Sequence, residues 1–267
     1  MRQKAKLMRD FDGKAALVTG TTGIGRAIAL RLADGGAQVV ACGIDDEGNR
    51  ELSHEAARRG LSLRVEHGDV SDQKVVAKLV ADAVGEMGGI DILVCAAAIH
   101  PFGSVLDTDP ETWNRCMAVN VGSIYLLARA VVPEMRKRGG GCILALASVQ
   151  GHACQKGVAA YAASKGAIHS LTRALALDHA EDGIRVNSIS PGSVRTPMLA
   201  RAAERFSPGV PEDEVFARFG AAHPLGRIAT AEEIAEVAAF LASGKASFCT
   251  GSDFVVDGGL LAGIGVR

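Results

Sequence analysis

The chain has 267 residues, 48% of them hydrophobic and only 4% aromatic, with 32 glycines and a formal net charge of −1. That length suits one large α/β domain or two small ones, and a core built from Ala, Val, Leu and Ile suits a parallel sheet covered by helices. The near-neutral balance excludes the basic field that nucleic acid or an anionic membrane surface requires.

The opening segment, MRQKAKLMRDFDGK, is basic but lacks an apolar run, so it is not a secretory signal, and residues 1–12 read as a flexible arm. Residues 15–19 (AALVT) are strand-like, and 23–36 are helical up to a glycine pair. A strand at 37–42, a charged helix near 46–59, an alternating strand at 61–69, an amphipathic helix at 73–87 and a buried strand at 89–98 follow. TDPE at 108–111 has the form of a capping box, with Thr108 as the cap and Glu111 reaching back, and predicts one long helix to about Arg138. A strand at 141–148, a helix at 159–182 and a strand at 184–190 come next. From Pro191 to Gly226 the periodicity breaks over five prolines (Pro191, Pro197, Pro208, Pro211, Pro224), so 192–226 reads as a mobile segment covering a site. A second capping box, TAEE at 230–233, opens a helix to about Ser243, and 252–259 closes the chain with a last strand.

Strands alternating with helices at this spacing mean βαβ units, hence a parallel sheet of about seven strands in one domain, 13–267. No stretch approaches the roughly 20 apolar residues of a membrane span. The six cysteines have no C-x-x-C spacing; Cys42, Cys95 and Cys142 fall in or beside strands and read as reduced, buried thiols of a cytoplasmic protein. No metal site is expected. The apolar end, FVVDGGLLAGIGVR, either sits at a subunit interface or folds back on its own subunit.

VTGTTGIGRAIA joins the first strand to the first helix. Glycines there let the backbone approach a pyrophosphate, and the free N–H groups and dipole of the helix face it. The turn resembles that of the short-chain dehydrogenase/reductase superfamily in its single-domain form, T-G-x-x-x-G-x-G. Here Thr19, Gly20, Gly23 and Gly25 match, with one residue fewer between the first two glycines. The resemblance implies a Rossmann-type doubly wound sheet and a cofactor held by Gly20, Thr22, Gly23, Ile24, Gly25, Ile44, Asp69, Val70 and Ala97. The family's acidic position after the second strand falls on Gly43, followed by Ile44, Asp45, Asp46 and Glu47. Three carboxylates oppose a 2′-phosphate, so NAD is expected over NADP; alternatively these acids simply start a helix. Asp69-Val70 matches the adenine-contacting pair, with helix capping as the other role open to Asp69. The usual N-N-A-G after the fourth strand is replaced by Cys95-Ala96-Ala97-Ala98.

Tyr161 and Lys165 lie four residues apart, on one face of a helix. With Ser148 thirteen residues earlier and Asn120 in MAVNVGS, they resemble the family's Asn-Ser-Tyr-Lys tetrad. The resemblance implies that Tyr161 is the general acid/base and Ser148 holds the substrate oxygen. It further implies that Lys165 favours the phenolate and grips the nicotinamide ribose, and that Asn120 holds a water linking Lys165 to solvent. SPGSVRTP at 190–197 resembles the family's P-G motif and implies that Pro191, Gly192, Val194 and Thr196 border the nicotinamide. Residues His100, Gln150, His152, Gln155, Gly192 and Met198, with 199–223, are the candidate substrate wall. Gln150 lies two past Ser148, so strand geometry aims it to the same side, and His152 and Gln155 alternatively are solvated loop residues. Such donors suit a sugar or polyol alcohol. The alternatives are an NADPH-dependent 3-oxoacyl thioester reductase and a non-catalytic dinucleotide-binding protein. Family members are usually homotetramers, and that is expected here.

Overall fold

Seven short runs rich in Val, Ile, Leu and Ala become the strands of one parallel sheet: β1 (Ala15–Thr19), β2 (Gln38–Gly43), β3 (Leu63–His67), β4 (Ile92–Cys95), β5 (Gly141–Leu146), β6 (Ile184–Pro191) and β7 (Asp253–Val256). The computed structural model describes residues 10–263. Sheet order is β3-β2-β1-β4-β5-β6-β7, so the winding direction reverses between β1 and β4. That reversal opens a crevice at the carboxyl ends of the strands, where ligands of such sheets bind.

Helices cover both faces. On one side α1 (Gly23–Asp34) and α9 (Ala231–Ala242) pack their Ile28, Leu32, Ile234 and Leu241 on Val18, Val94 and Leu144. On the other, α3 (Gln73–Met87), α5 (Ser123–Lys137) and α6 (Ala159–Asp178) close over Leu17, Leu93 and Ile143. Helix α2 (Asp46–Arg59) is capped by Asp45, whose carboxylate accepts from the Gly48 N–H at 2.7 Å. The capping box expected at Thr230 forms as read.

Five expectations need correction. Thr108 does not cap: its hydroxyl donates to the Ser104 carbonyl, and Asp109 caps α4 (Pro110–Met117) by accepting from the Thr112 N–H at 2.7 Å. The expected single helix is broken by a π-helical turn, Ala118–Gly122, that separates α4 from α5. By length and composition Pro110–Lys137 does reach the size of a membrane span; half of its apolar window is buried, with α5 against α3 and α4 against α6. The 192–226 segment is helical, not irregular: Pro197 sits in the first turn of α7 (Pro197–Phe206), capped by Thr196, and Pro211 immediately precedes α8 (Glu212–Ala221). Proline is tolerated at a first helical turn, where its missing N–H has no partner to lose. Of the expected arm, residues 1–9 lie outside the described residues, while Phe11 at 2% exposure is core and packs beside Gly35.

Candidate active site

At Gly20 and Gly25 the junction between β1 and α1 admits no side chain. A Cβ on Gly25 would lie 2.1 Å from the Gly20 carbonyl oxygen, and Gly20 itself has φ +88° with Ala96 backbone 3.1 Å from where its Cβ would stand. Thr22 stands at the N-cap of α1, yet its side chain caps nothing and the first turn holds no acid. The N–H groups and dipole of α1 therefore face the crevice uncompensated, which fits a diphosphate. Gly20, Thr22, Gly23, Ile24, Gly25, Ile44, Asp69, Val70 and Ala97 all line this 510 Å³ cavity.

The missing turn residue has a structural counterpart. Thr21 Oγ1 lies 2.3 Å from where a Cβ on Gly43 would be, and Thr22 Cγ2 lies 2.4 Å from the same position on Gly48. The shortened turn is thus packed against a wall bared of side chains. At the Cys95-Ala96-Ala97-Ala98 segment, which lacks the N-N-A-G asparagines, Thr19 Oγ1 accepts from the Ala96 and Ala97 N–H groups at 3.2 and 3.3 Å. Asp69 does not cap α3, a task taken by Asp72. One Asp69 oxygen accepts from the Ser71 N–H and hydroxyl, and the other accepts from Arg115 at 2.7 Å. Burial raises the Asp69 carboxyl, but these hydrogen bonds outweigh it and hold the group below its ordinary range. Arg115, on α4, was not singled out from the sequence; it clasps Asp69 across the crevice.

A second cavity of 590 Å³ shares Ile24, Thr196 and Met198 with the first. Its floor carries Ser148 and Tyr161, both 8% exposed. Tyr161 lies edge-on to His100, ring centroids 4.1 Å apart, and His100 in turn meets Phe102 at 4.8 Å. Lys165 is 3% exposed, its Nζ 5.4 Å from the Tyr161 ring centre and donating to the Leu146 carbonyl at 2.6 Å. The expectation that Lys165 lowers the tyrosine's pKa is not met in the protein alone. Burial pushes the Tyr161 phenol up to about 12, with only the hydrogen bond to Ser148 opposing it, and burial pulls Lys165 down to about 8. Burial likewise takes His100 down to about 4, so it is neutral at physiological pH.

Asn120 sits inside the π-turn, 1% exposed, and its amide is fully used. Its Oδ1 accepts from the Ile99 N–H at 2.8 Å, and its Nδ2 donates to the Ile99 carbonyl at 3.0 Å and to Ser164 Oγ at 2.9 Å. It braces the β4 exit against α6 instead of reaching Lys165 with its side chain, because the wide turn aims it inward.

Of the expected substrate wall, His100, Gln150, Gln155, Gly192 and Met198 border the second cavity, as do Pro191, Val194 and Thr196. The reason given for Gln150 changes: residues Val149–Gly151 form a 3-10 turn, capped by Ser148, and not a continued strand. His100 Nε2 and Gln150 Oε1 are buried without a hydrogen-bond partner among the described residues. His152 is the miss: its Nε2 pairs with Asp253 at 2.7 Å, and its ring stacks on His169 at 4.2 Å, away from the cavity. Sequence reasoning overlooked an apolar wall made by Leu199, Ala202, Phe206, Phe219, Leu260 and Leu261. The first four recur at helical spacing on α7 and α8, a signal masked by the prolines. The last two fold back over the cavity, while Val255 of the same apolar end is exposed; residues 264–267 lie outside the described residues.

A family model described as Enoyl-(Acyl carrier protein) reductase matches residues 18–261. The oxidoreductase UcpA of Salmonella typhimurium is 41% identical over 254 residues, covering 94% of this chain and 96% of its own. Meso-2,3-butanediol dehydrogenase of Serratia marcescens is 39% identical over 258 residues, covering 96% and 97%. Among solved structures, the ligand-free aldohexose dehydrogenase of Thermoplasma acidophilum superimposes with a TM-score of 0.89 at 32% identity, covering 97% of this chain and 98% of that one.

Proposed function

Because the chain belongs to the short-chain dehydrogenase/reductase family of oxidoreductases, we propose that it moves hydride between NAD and a secondary alcohol or ketone, with a sugar or polyol as substrate. The observation that carries the reading is the Tyr161 phenol beside Ser148 on the floor of a cavity that runs into the dinucleotide crevice.

Gly20, Gly23 and the first turn of α1 would cradle the diphosphate. The oxidised nicotinamide, when bound, supplies a hydride acceptor and a positive charge. In alcohol oxidation Tyr161 takes the hydroxyl proton through its oxygen, and in reduction it returns that proton to the carbonyl oxygen. Ser148 donates to the same substrate oxygen as charge collects on it. The buried Lys165 holds a cationic or readily deprotonated amine one turn away, near enough to pass or balance that proton. Carboxylates of Asp45, Glu47 and Glu51 border the crevice at the end of β2 and support NAD over NADP. The unpartnered His100 and Gln150 atoms beside the phenol support a polyhydroxylated substrate, and the butanediol and hexose relatives point the same way.

Tyr161→Phe should lower kcat/KM by 10²- to 10⁴-fold, the usual worth of a general base, while cofactor affinity by calorimetry stays within about twofold. Retention of more than about a tenth of wild-type activity would remove Tyr161 from that role. A second reading rests on the apolar wall: reduction of a 3-oxoacyl thioester with NADPH. A panel of polyols, sugars and acetoacetyl thioesters, run with each cofactor separately, decides between them, and cofactor binding without any turnover would favour a dinucleotide-binding protein.

We also propose a cytoplasmic homotetramer, supported by the exposed Leu177, Phe240, Phe248 and Val255; a monomeric mass by light scattering would overturn the assembly.

A further inference from the structure

Beside the catalytic loop, three side chains from three separate elements converge. His152 follows the 3-10 turn Val149–Gly151, His169 lies on α6 one turn beyond Lys165, and Asp253 opens β7. Their ligand atoms all lie within 4.8 Å of one another. His152 Nε2 is 2.7 Å from one Asp253 oxygen, and His169 Nε2 is 3.6 Å from the other. We propose that His152, His169 and Asp253 form a binding site for a divalent transition metal of the zinc class.

The donor set selects the ion. Two imidazoles and one carboxylate suit Zn²⁺, Co²⁺ or Ni²⁺, whereas Mg²⁺ and Ca²⁺ favour all-oxygen cages. The carboxylate is held from behind: Ser188 and Ser190 hydroxyls donate to Asp253 Oδ1 at 2.6 and 2.9 Å. Outer hydrogen bonds of this kind fix a ligating carboxylate in place. His169 is 7% exposed, and its Nε2 lies 3.0 Å from Ser190 Oγ, a hydrogen bond that a bound ion would replace. His152 is the mobile member: its side chain is 39% exposed, and it provides the entry path. The two rings are stacked 25° from parallel, so His152 must rotate on its exposed side to aim its lone pair at the ion. Three protein ligands leave the fourth position of a tetrahedron to water. A metal here would tie the segment after Ser148 to the last strand; Gly151, whose Cβ would lie 2.5 Å from His169 Cε1, is already pressed against the same ring.

The test is calorimetric titration of the tag-free, chelator-treated full-length protein with ZnCl₂, repeated with CoCl₂ while following the visible absorption of the bound ion. One equivalent per chain is expected, with binding weakened about tenfold or more in His152→Ala and in His169→Gln. Cys154, exposed two residues beyond His152, is the competing zinc ligand in this loop, so Cys154→Ser should bind as wild type. Melting temperatures without metal report whether the buried His169 variant folds; His152→Ala, at the surface, carries the test alone if it does not. Absence of saturable uptake, uptake indifferent to His152→Ala, or uptake lost in Cys154→Ser would each overturn the site.

Discussion

Burial works against both charged forms at the centre of this molecule, holding a proton on Tyr161 and loosening the one on Lys165. For Lys165 the consequence can be measured without substrate. Its folded pKa is about 8, against about 10.4 in an unfolded chain. Between those values the unfolded chain binds more protons, so Lys165 makes stability rise with pH there, while at pH 7 and below its full cost, on the order of 3 kcal/mol, is present. Lys165→Met removes that cost but leaves the Leu146 carbonyl unpaired, itself worth about 1–3 kcal/mol. The variant should therefore be inactive yet about as stable as wild type at pH 7. Wild type should then gain roughly 2–3 kcal/mol on it as pH rises from 8 to 10. Urea unfolding of both at each pH reads the gap, and parallel curves would mean that Lys165 is not held in a low-dielectric site. The Tyr-x-x-x-Lys spacing was legible in the sequence because helical periodicity places both side chains on one face. The direction of their titration was not, because it depends on burial by residues far away in the chain. His152 was misread for a related reason: its partner, Asp253, stands 101 positions later.

At the scale of elements, the shortened glycine turn and the bare end of β2 are two halves of one adjustment. Thr21 occupies the space a side chain at Gly43 would need. Gly43→Ala should destabilise the protein by about 1–3 kcal/mol through overpacking and weaken cofactor binding with it. Thr21→Ala in the same chain should recover most of that loss, because the pair is coupled through one volume. Additive effects in denaturant titrations of the two single variants and the double would show that turn and wall are packed independently. Elements were readable where local chemistry fixes them: the Thr230–Glu233 box stands as read, and each of the seven runs holds a strand, though 61–69 and 89–98 only over Leu63–His67 and Ile92–Cys95. They were unreadable where one residue permits two outcomes. A proline can end a helix or begin one, and Pro197 begins one. The π-turn at Asn120 leaves no mark on the apolar period, since it is held by bonds to Ile99 and Ser164 from other elements.

For the molecule as a whole, the parallel sheet places two contiguous cavities along one crevice, and the apolar cover of the catalytic one comes from two separate stretches of the chain, α7 with α8 and the turn after β7. Asp257 holds that turn. Its carboxylate accepts from the Gly259 N–H at 2.8 Å and the Leu261 N–H at 2.7 Å, and with His223 Nε2 its Cα and Cβ crowd the space that a Cβ on Gly192 would take. The turn presents Leu260 and Leu261 to the catalytic cavity and contributes nothing to the lining of the dinucleotide crevice. Asp257→Ala should therefore free the turn and expose the substrate side to water while leaving α1 and its glycines undisturbed. Loss of two apolar contacts of this size, at about 1.4 kcal/mol, is a tenfold rise in KM for substrate. Cofactor Kd, measured by calorimetry on the same variant, should stay within about twofold, a free-energy change of about 0.4 kcal/mol. Should KM and Kd rise together, the turn would be supporting the end of the sheet itself, and the division of labour between the two cavities would be wrong. Should neither move, Leu260 and Leu261 would be spectators, and the substrate would be enclosed by α7 and α8 alone.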